Sequence, residues 1–200
     1  TNPDAWSRRA VDARFLAELS EANPMVAAPY TRHHCSNWNV DQAAALLFTS
    51  ADVARRMGVP AERWVHPLGA AESNAMLPLT RRTEPHRVPA VGLVGEALVE
   101  STGLDPAAAD HIELYSCFPS AVEVQRRELG IDPGRDLTVS GGMTFAGGPL
   151  NNAALQGLVT LARLLRADPG SVGLHTSVSG MLTKHGAALW SIDASRGPDA

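Results

Sequence analysis

The sequence predicts a layered α/β domain with a mixed sheet, and three observations support that reading. After residue 60, strand-like and helix-period segments alternate, most of them bounded by proline or glycine. The last two strand-like runs are joined by a short connection, which makes them antiparallel neighbours in a sheet otherwise linked through helices. Finally, 200 residues with 44% hydrophobic content and 17 basic against 21 acidic side chains are enough for one substantial core and unlike a disordered chain. The same composition excludes collagen and coiled coil, and two distant cysteines, Cys35 and Cys117, do not make a disulfide scaffold. A mildly acidic balance argues against nucleic acid as a partner. No run approaches the roughly 20 apolar residues that span a bilayer, and no signal-peptide pattern opens the chain. The cysteines suit a reducing, cytoplasmic compartment. Because the sequence opens on Thr1 rather than methionine, it is expected to be part of a longer protein.

Taken in order, Trp6, Ala10, Ala13, Phe15, Leu16 and Leu19 recur at near-helical spacing and predict an amphipathic helix over 5–19, ended by Asn23 and Pro24. Residues 25–38 lack a clean period, and Pro29, His33 and His34 read as an irregular loop. Residues 40–48 are a dense apolar run, compatible with a buried strand or a helix. Ser50 caps a short helix through Arg56, stopped by Gly58 and Pro60. Residues 64–70 read as a strand and 73–88 as a loop carrying Arg81, Arg82, His86 and Arg87. Pro89 opens a helix with Val91, Val94, Ala97 and Leu98 on its apolar face, ending near Gly103. Residues 111–118 read as a strand, and Pro119 starts a helix through Val122, Val124 and Leu129 to Gly130. A brief strand over 137–139 precedes a glycine-rich turn over 141–149. A long helix over 150–166 follows, burying Leu155, Leu158, Val159, Leu161, Ala162 and Leu165. Strands over 173–178 and 187–192 close the sheet and bring its count to five. No low-complexity segment or internal repeat interrupts this order.

Chemistry is concentrated in a few places. The turn Gly141 to Pro149 follows a strand and opens the long helix, where free N–H groups attract anions. Its glycine spacing matches neither a phosphate loop nor a dinucleotide fingerprint, and close packing or positive φ is an alternative reason for the glycines. Cys117, with Tyr115 and Ser116 beside it, lies near the end of a strand, where α/β folds place active sites. A thiolate there needs a neighbouring base or helix dipole, while a small buried hydrophobe is the plainer role for cysteine. His33, His34 and Cys35 lack zinc-site spacing, so no metal is expected. His185, beside Lys184, fits either an acid/base or an exposed hairpin tip. The cluster Arg81–Arg87 fits a solvated loop or a contact to a phosphorylated ligand.

Several segments, in order, resemble the second half of a thiolase, most of all the sterol-carrier-protein type. Pro29-Tyr30-Thr31-Arg32 through Val40-Asp41-Gln42-Ala43-Ala44-Ala45 resembles the passage from the loop domain into the last N-terminal-domain strand. Arg87-Val88-Pro89-Ala90 is similar to a family helix start, and Tyr115-Ser116-Cys117-Phe118 falls where thiolases carry Asn-Glu-Ala-Phe or His-Asp-Cys-Phe. Gly141-Gly142 with Gly147-Gly148-Pro149-Leu150 resembles the Gly-Gly…Gly-His-Pro-Leu segment, and Val178-Ser179-Gly180-Met181 the final Cys-x-Gly region. The resemblance implies a thiolase-like fold, a mixed five-stranded sheet with helices on both faces. It also implies the end of an N-terminal domain over 1–59, including loop-domain residues, and a C-terminal domain over 60–200.

By the same resemblance, Tyr115, Cys117 and Ser177 are the expected catalytic residues, with Thr176 as the alternative to Ser177 at the position of the family's second cysteine. Gly148 stands where the family has its histidine. Arg32, Phe118, Gly147, Gly148 and Gly180 are the expected substrate- and CoA-binding residues. The acyl-accepting cysteine would lie in an N-terminal half that this chain lacks and that becomes its partner. CoA and acyl-CoA are expected as substrate, with no permanently bound cofactor, and the protein as a homo-oligomer. The implied function is an acyl-CoA acyltransferase of the acetyl-CoA acetyltransferase type with thiolysis impaired, because a hydroxyl replaces a thiol and glycine replaces an imidazole. Two alternatives stand beside it: a CoA-thioester aldol lyase working with Tyr115, and a non-catalytic acyl-CoA or lipid-carrier module.

Overall fold

The computed structural model describes residues 2–198; Thr1, Asp199 and Ala200, the outermost residues of the two expected domains, lie outside them. The predicted helix over 5–19 contracts to α1, Ala13–Ala17, capped by the Asp12 carboxylate. It stops early because buried Asn23 takes the carbonyls of Phe15, Leu16 and Glu18 through its Nδ2 at 3.0 to 3.2 Å. The expected loop over 25–38 instead contains a small antiparallel hairpin, β1 (Met25–Ala27) with β2 (Tyr30–Thr31), joined across a cis Ala28–Pro29 bond. The apolar run over 40–48 forms neither strand nor helix. No strand pairs with it, so only parts of it find cover: Leu46 packs against the cluster of Leu158, Leu161, Leu165 and Trp190, Phe48 stays largely exposed with its ring 6.3 Å from that of Trp190, and Leu47 is exposed. Next comes α2 (Ala51–Arg56), whose Ser50 cap accepts from Val53 N, as the sequence predicts.

From residue 66 the chain builds a four-stranded mixed sheet. Its members are β3 (His66–Asn74), β4 (His111–Glu113), β5 (Gly173–Ser179) and β6 (Lys184–Ser191), in the order β3-β6-β5-β4. Both β3–β6 and β5–β6 are antiparallel, and β4 runs parallel to β5. The sheet has four strands rather than five: residues 137–139 lie beside the end of β4, with Leu114 N–H donating to Leu137 O at 2.9 Å, but form no ladder. Glu113 Oε2 accepts the N–H groups of Val139 and Ser140 at 2.8 Å each, so the backbone there turns toward a carboxylate instead of a ladder. The strand predicted over 111–118 is shorter and ends at Glu113.

Helices cover both faces. On one side lie α3 (Pro89–Thr102) and α4 (Pro119–Glu128), on the other α5 (Asn152–Ala167). Period-2 alternation decides the assignment. Ile112, Leu114, Leu174, Ala187 and Leu189 meet Val91, Val94, Leu98 and Val124, whereas Ala188 and Trp190 meet Leu158, Leu161 and Leu165. Proline at the start and a left-handed glycine at the end bound α3, as the sequence predicts. Leu155, expected on the buried side of α5, is exposed. His185 is buried rather than at a hairpin tip: β6 already begins at Lys184, and His185 Nε2 lies 3.1 Å from the Leu182 carbonyl.

Candidate functional site

The C-terminal ends of parallel strands and the N-terminus of the next helix converge at one edge of the sheet, where α/β folds place ligands. A cleft of about 490 Å³ opens there. Glu72 and Asn74 reach it from β3, Ser177 and Ser179 from β5, and Lys184 from β6, while Tyr115 follows β4 and Asn151 and Ala154 begin α5. Two of the three expected catalytic residues, Tyr115 and Ser177, therefore share this cleft. Cys117, Arg32, Phe118, Gly147, Gly148 and Gly180 do not line it.

The strand pleat separates the two candidates for the second-cysteine position. Thr176 faces the α4 side, buried and hydrogen-bonded to Gln125, whereas Ser177 is exposed toward the cleft. His175 lies on the Ser177 side and lines an adjoining hollow of about 330 Å³ that shares Glu72, Ser177 and Gly186 with the cleft. Burial lowers its pKa to about 4, against the opposing hydrogen bond to the Ala154 carbonyl at 2.9 Å. A neutral ring donating from Nε2 leaves Nδ1 as the acceptor.

Burial raises the Tyr115 phenol above its ordinary value, and neighbouring Cys117 adds to the shift. A phenol so placed is a hydrogen-bond donor at neutral pH rather than a base. Burial also raises the Cys117 thiol, favouring its protonated form, although backbone N–H groups of Phe118 and Cys117 oppose the shift. The Cys117 carbonyl serves structure instead, accepting Ser36 N–H at 3.1 Å.

The glycine-rich turn is shaped by close approach. Gly148 N–H donates to Asn37 O at 2.8 Å, and Ser36 Oγ donates to Gly148 O at 3.3 Å. A Cβ built at Gly148 would land on Ser36 Oγ and press on Met143. The space a side chain at 148 needs is thus taken by Ser36. Arg32 is engaged locally, its Nη2 donating to Asn37 Oδ1 at 3.0 Å. Phe118 is partly exposed, with its ring 5.5 Å from that of Tyr30. Gly147 adopts φ +104° under Val40 and Gln42, and Gly180 sits at φ +62° in the β5–β6 turn.

Glu113 escaped the sequence reading. It is buried without a cation, and its carboxylate accepts from Thr138 Oγ1, Val139 N, Ser140 N and Ser140 Oγ. Burial pushes its pKa up, and these four donors oppose the shift. A lone charge inside an apolar strand-like run was the available signal. Nothing local in the sequence points to Ser36.

No protein-family model matches the sequence. The structure superposes on that of a monomeric SCP2-thiolase-like protein type 1 from Mycobacterium smegmatis with a TM-score of 0.87 and 30% identity, covering 96% of this chain and 42% of that one. The chain carries an SCP2-like domain of the thiolase superfamily. Two curated proteins agree. The chain is 30% identical over 140 residues to "Acetyl-CoA acetyltransferase 1" of Arabidopsis thaliana, covering 70% of this chain and 31% of that protein. It is 26% identical over 202 residues to "Steroid side-chain-cleaving aldolase" of Thermomonospora curvata, covering 94% of this chain and 51% of that protein. This SCP2-like domain therefore spans between about a third and a half of its curated relatives. Among its described residues no helix is long and apolar enough to cross a membrane.

Proposed function

We propose that this SCP2-like thiolase domain forms part of an acyl-CoA acyltransferase-type protein that binds CoA thioesters, with thiolysis weak or absent. The observation that carries the reading is the pairing of two features: Ser36 fills the side-chain space at Gly148, and a hydroxyl, Ser177, faces the cleft. A missing acid/base costs typically about 10²–10⁴-fold and a missing oxyanion donor about 10²–10³-fold. The acyl-accepting cysteine of the superfamily belongs, in this reading, to a segment outside this chain, supplied in cis or by another chain. Two free thiols suit a reducing, cytoplasmic setting.

A second reading, carbon–carbon cleavage of a β-hydroxyacyl thioester, draws support from Tyr115. In that reaction the β-hydroxyl gives up its proton, the Cα–Cβ bond breaks to release a ketone or aldehyde, and the thioester enolate takes a proton at Cα. A neutral phenol aimed at the cleft would donate a hydrogen bond to the enolate oxygen. The likeness to an aldolase across 94% of the chain fits the same chemistry.

The decisive experiment uses the chain together with its N-terminal counterpart. Calorimetry should detect CoA-thioester binding, with little CoA-dependent cleavage of acetoacetyl-CoA; absent binding overturns both readings. Ketone release from a β-hydroxyacyl-CoA, lost by about 10²-fold in Tyr115→Phe, selects the second reading. Unchanged turnover in that variant removes Tyr115 from the chemistry.

A further inference from the structure

The Tyr115 backbone lies beyond the end of β4, so the sheet ladder supplies no partner for it. Its peptide groups are nevertheless satisfied by two side chains from different elements. Tyr115 N–H donates to Thr176 Oγ1 at 2.9 Å, and the Thr176 hydroxyl donates to Gln125 Oε1 at 2.6 Å. Gln125 Nε2 completes the circuit by donating to Tyr115 O at 2.8 Å. Its second amide hydrogen goes to Ala121 O, also at 2.8 Å.

Every direction in this ring is forced. Thr176 has one hydroxyl proton, and since its oxygen receives the Tyr115 N–H, that proton goes to Gln125. The amide of Gln125 then cannot flip, because its oxygen would face two carbonyl oxygens. Thr176 is 4% exposed and Gln125 1%, so water does not substitute for either partner. Breaking the ring strands a buried donor or acceptor at each of its joints.

We infer that Thr176 and Gln125 are positioning residues, a buried relay from β5 and α4 that fixes where the Tyr115 side chain enters the cleft. The inference rests on the reading that Tyr115 works on the thioester. It assigns Thr176 a role that its neighbour Ser177 does not share, although both occupy the same stretch of strand. It also makes the placement of the phenol depend on α4, the helix that begins four residues after Tyr115.

The test reads the phenol directly. The chain has two tyrosines, Tyr30 and Tyr115, so Tyr30→Phe leaves one ultraviolet titration signal. In that background the Tyr115 midpoint is expected above its ordinary 10.0. Thr176→Val and Gln125→Met should each move it back toward that value while circular dichroism stays unchanged, and Thr176→Ser should restore it. In the active assembly, Thr176→Val should lower kcat by about 10²-fold with KM unchanged, the cost of a slightly misplaced group. Hydrogen exchange on the parent chain provides a reading that needs no variant to fold: the Tyr115 amide should be protected. An unprotected Tyr115 amide, or a midpoint identical in the parent and a folded Thr176→Val, overturns the relay. A protein without turnover whose midpoint still responds to Thr176→Val refutes the chemistry proposed for Tyr115 and leaves the relay standing.

Discussion

On one face of the sheet, α3 and α4 bury Leu98, Leu114, Leu174 and Leu189 completely and admit polar groups such as Thr176 and Gln125 only where they are hydrogen-bonded. On the other, α5 packs mainly over β4 and β5 and less over β6, and Ala70, Glu72 and Ser177 stay exposed beside the cleft. The difference follows from side-chain size. Leucine and valine line the closed face, whereas alanine, glycine and serine floor the open one, giving little apolar area to draw a helix across it. Packing dominates one side of these strands and an open cleft the other, and the successive residues Thr176 and Ser177 face opposite sides.

Substitutions can break or sharpen that contrast. On the closed face, Leu98→Ala should cost about 2–5 kcal/mol in denaturant unfolding, with CoA-thioester binding per folded molecule unchanged. Under α5, Glu113→Leu removes the acceptor for the buried Ser140 N–H and the part-buried Val139 N–H and should cost about 2–4 kcal/mol, accompanied by faster hydrogen exchange at Val139 and Ser140. His175 stands at the border of the covered and open parts. Its pKa falls from 6.5 to about 4 on folding, so between these values the unfolded chain binds the extra proton. Stability should drop by about 3 kcal/mol as pH is lowered through that window, and His175→Gln should flatten the decline. At the open end, Ser177→Ala should change stability by less than about 0.5 kcal/mol and slow thioester turnover by roughly tenfold. A Ser177→Ala loss as large as that of Leu98→Ala would erase the distinction between the faces.

Much of the frame was readable in the sequence because punctuation and period agree there. Pro89 and Gly103 bound α3, Pro119 opens α4, and the closing pair of strands sits within a few residues of its predicted limits. Elements whose state depends on distant partners were not readable. Residues 40–48 have strand-like composition but no strand beside them, and residues 137–139 lose their ladder to the Glu113 carboxylate. At the site, Tyr115 and Ser177 could be nominated from their positions in the motifs. Gln125 could not, since a polar residue on the inner side of α4 becomes informative only once the Tyr115 carbonyl lies against it. His175 was hidden for a similar reason: its tautomer is set by Ala154, 21 residues earlier.

Ser36 beneath Gly148 has a consequence for any attempt to build a side chain there. A Gly148→His substitution brings its Cβ onto the Ser36 hydroxyl and against Met143, so those two side chains must shift to admit it. Replacing Ser36 by alanine in the same molecule removes the nearer obstacle.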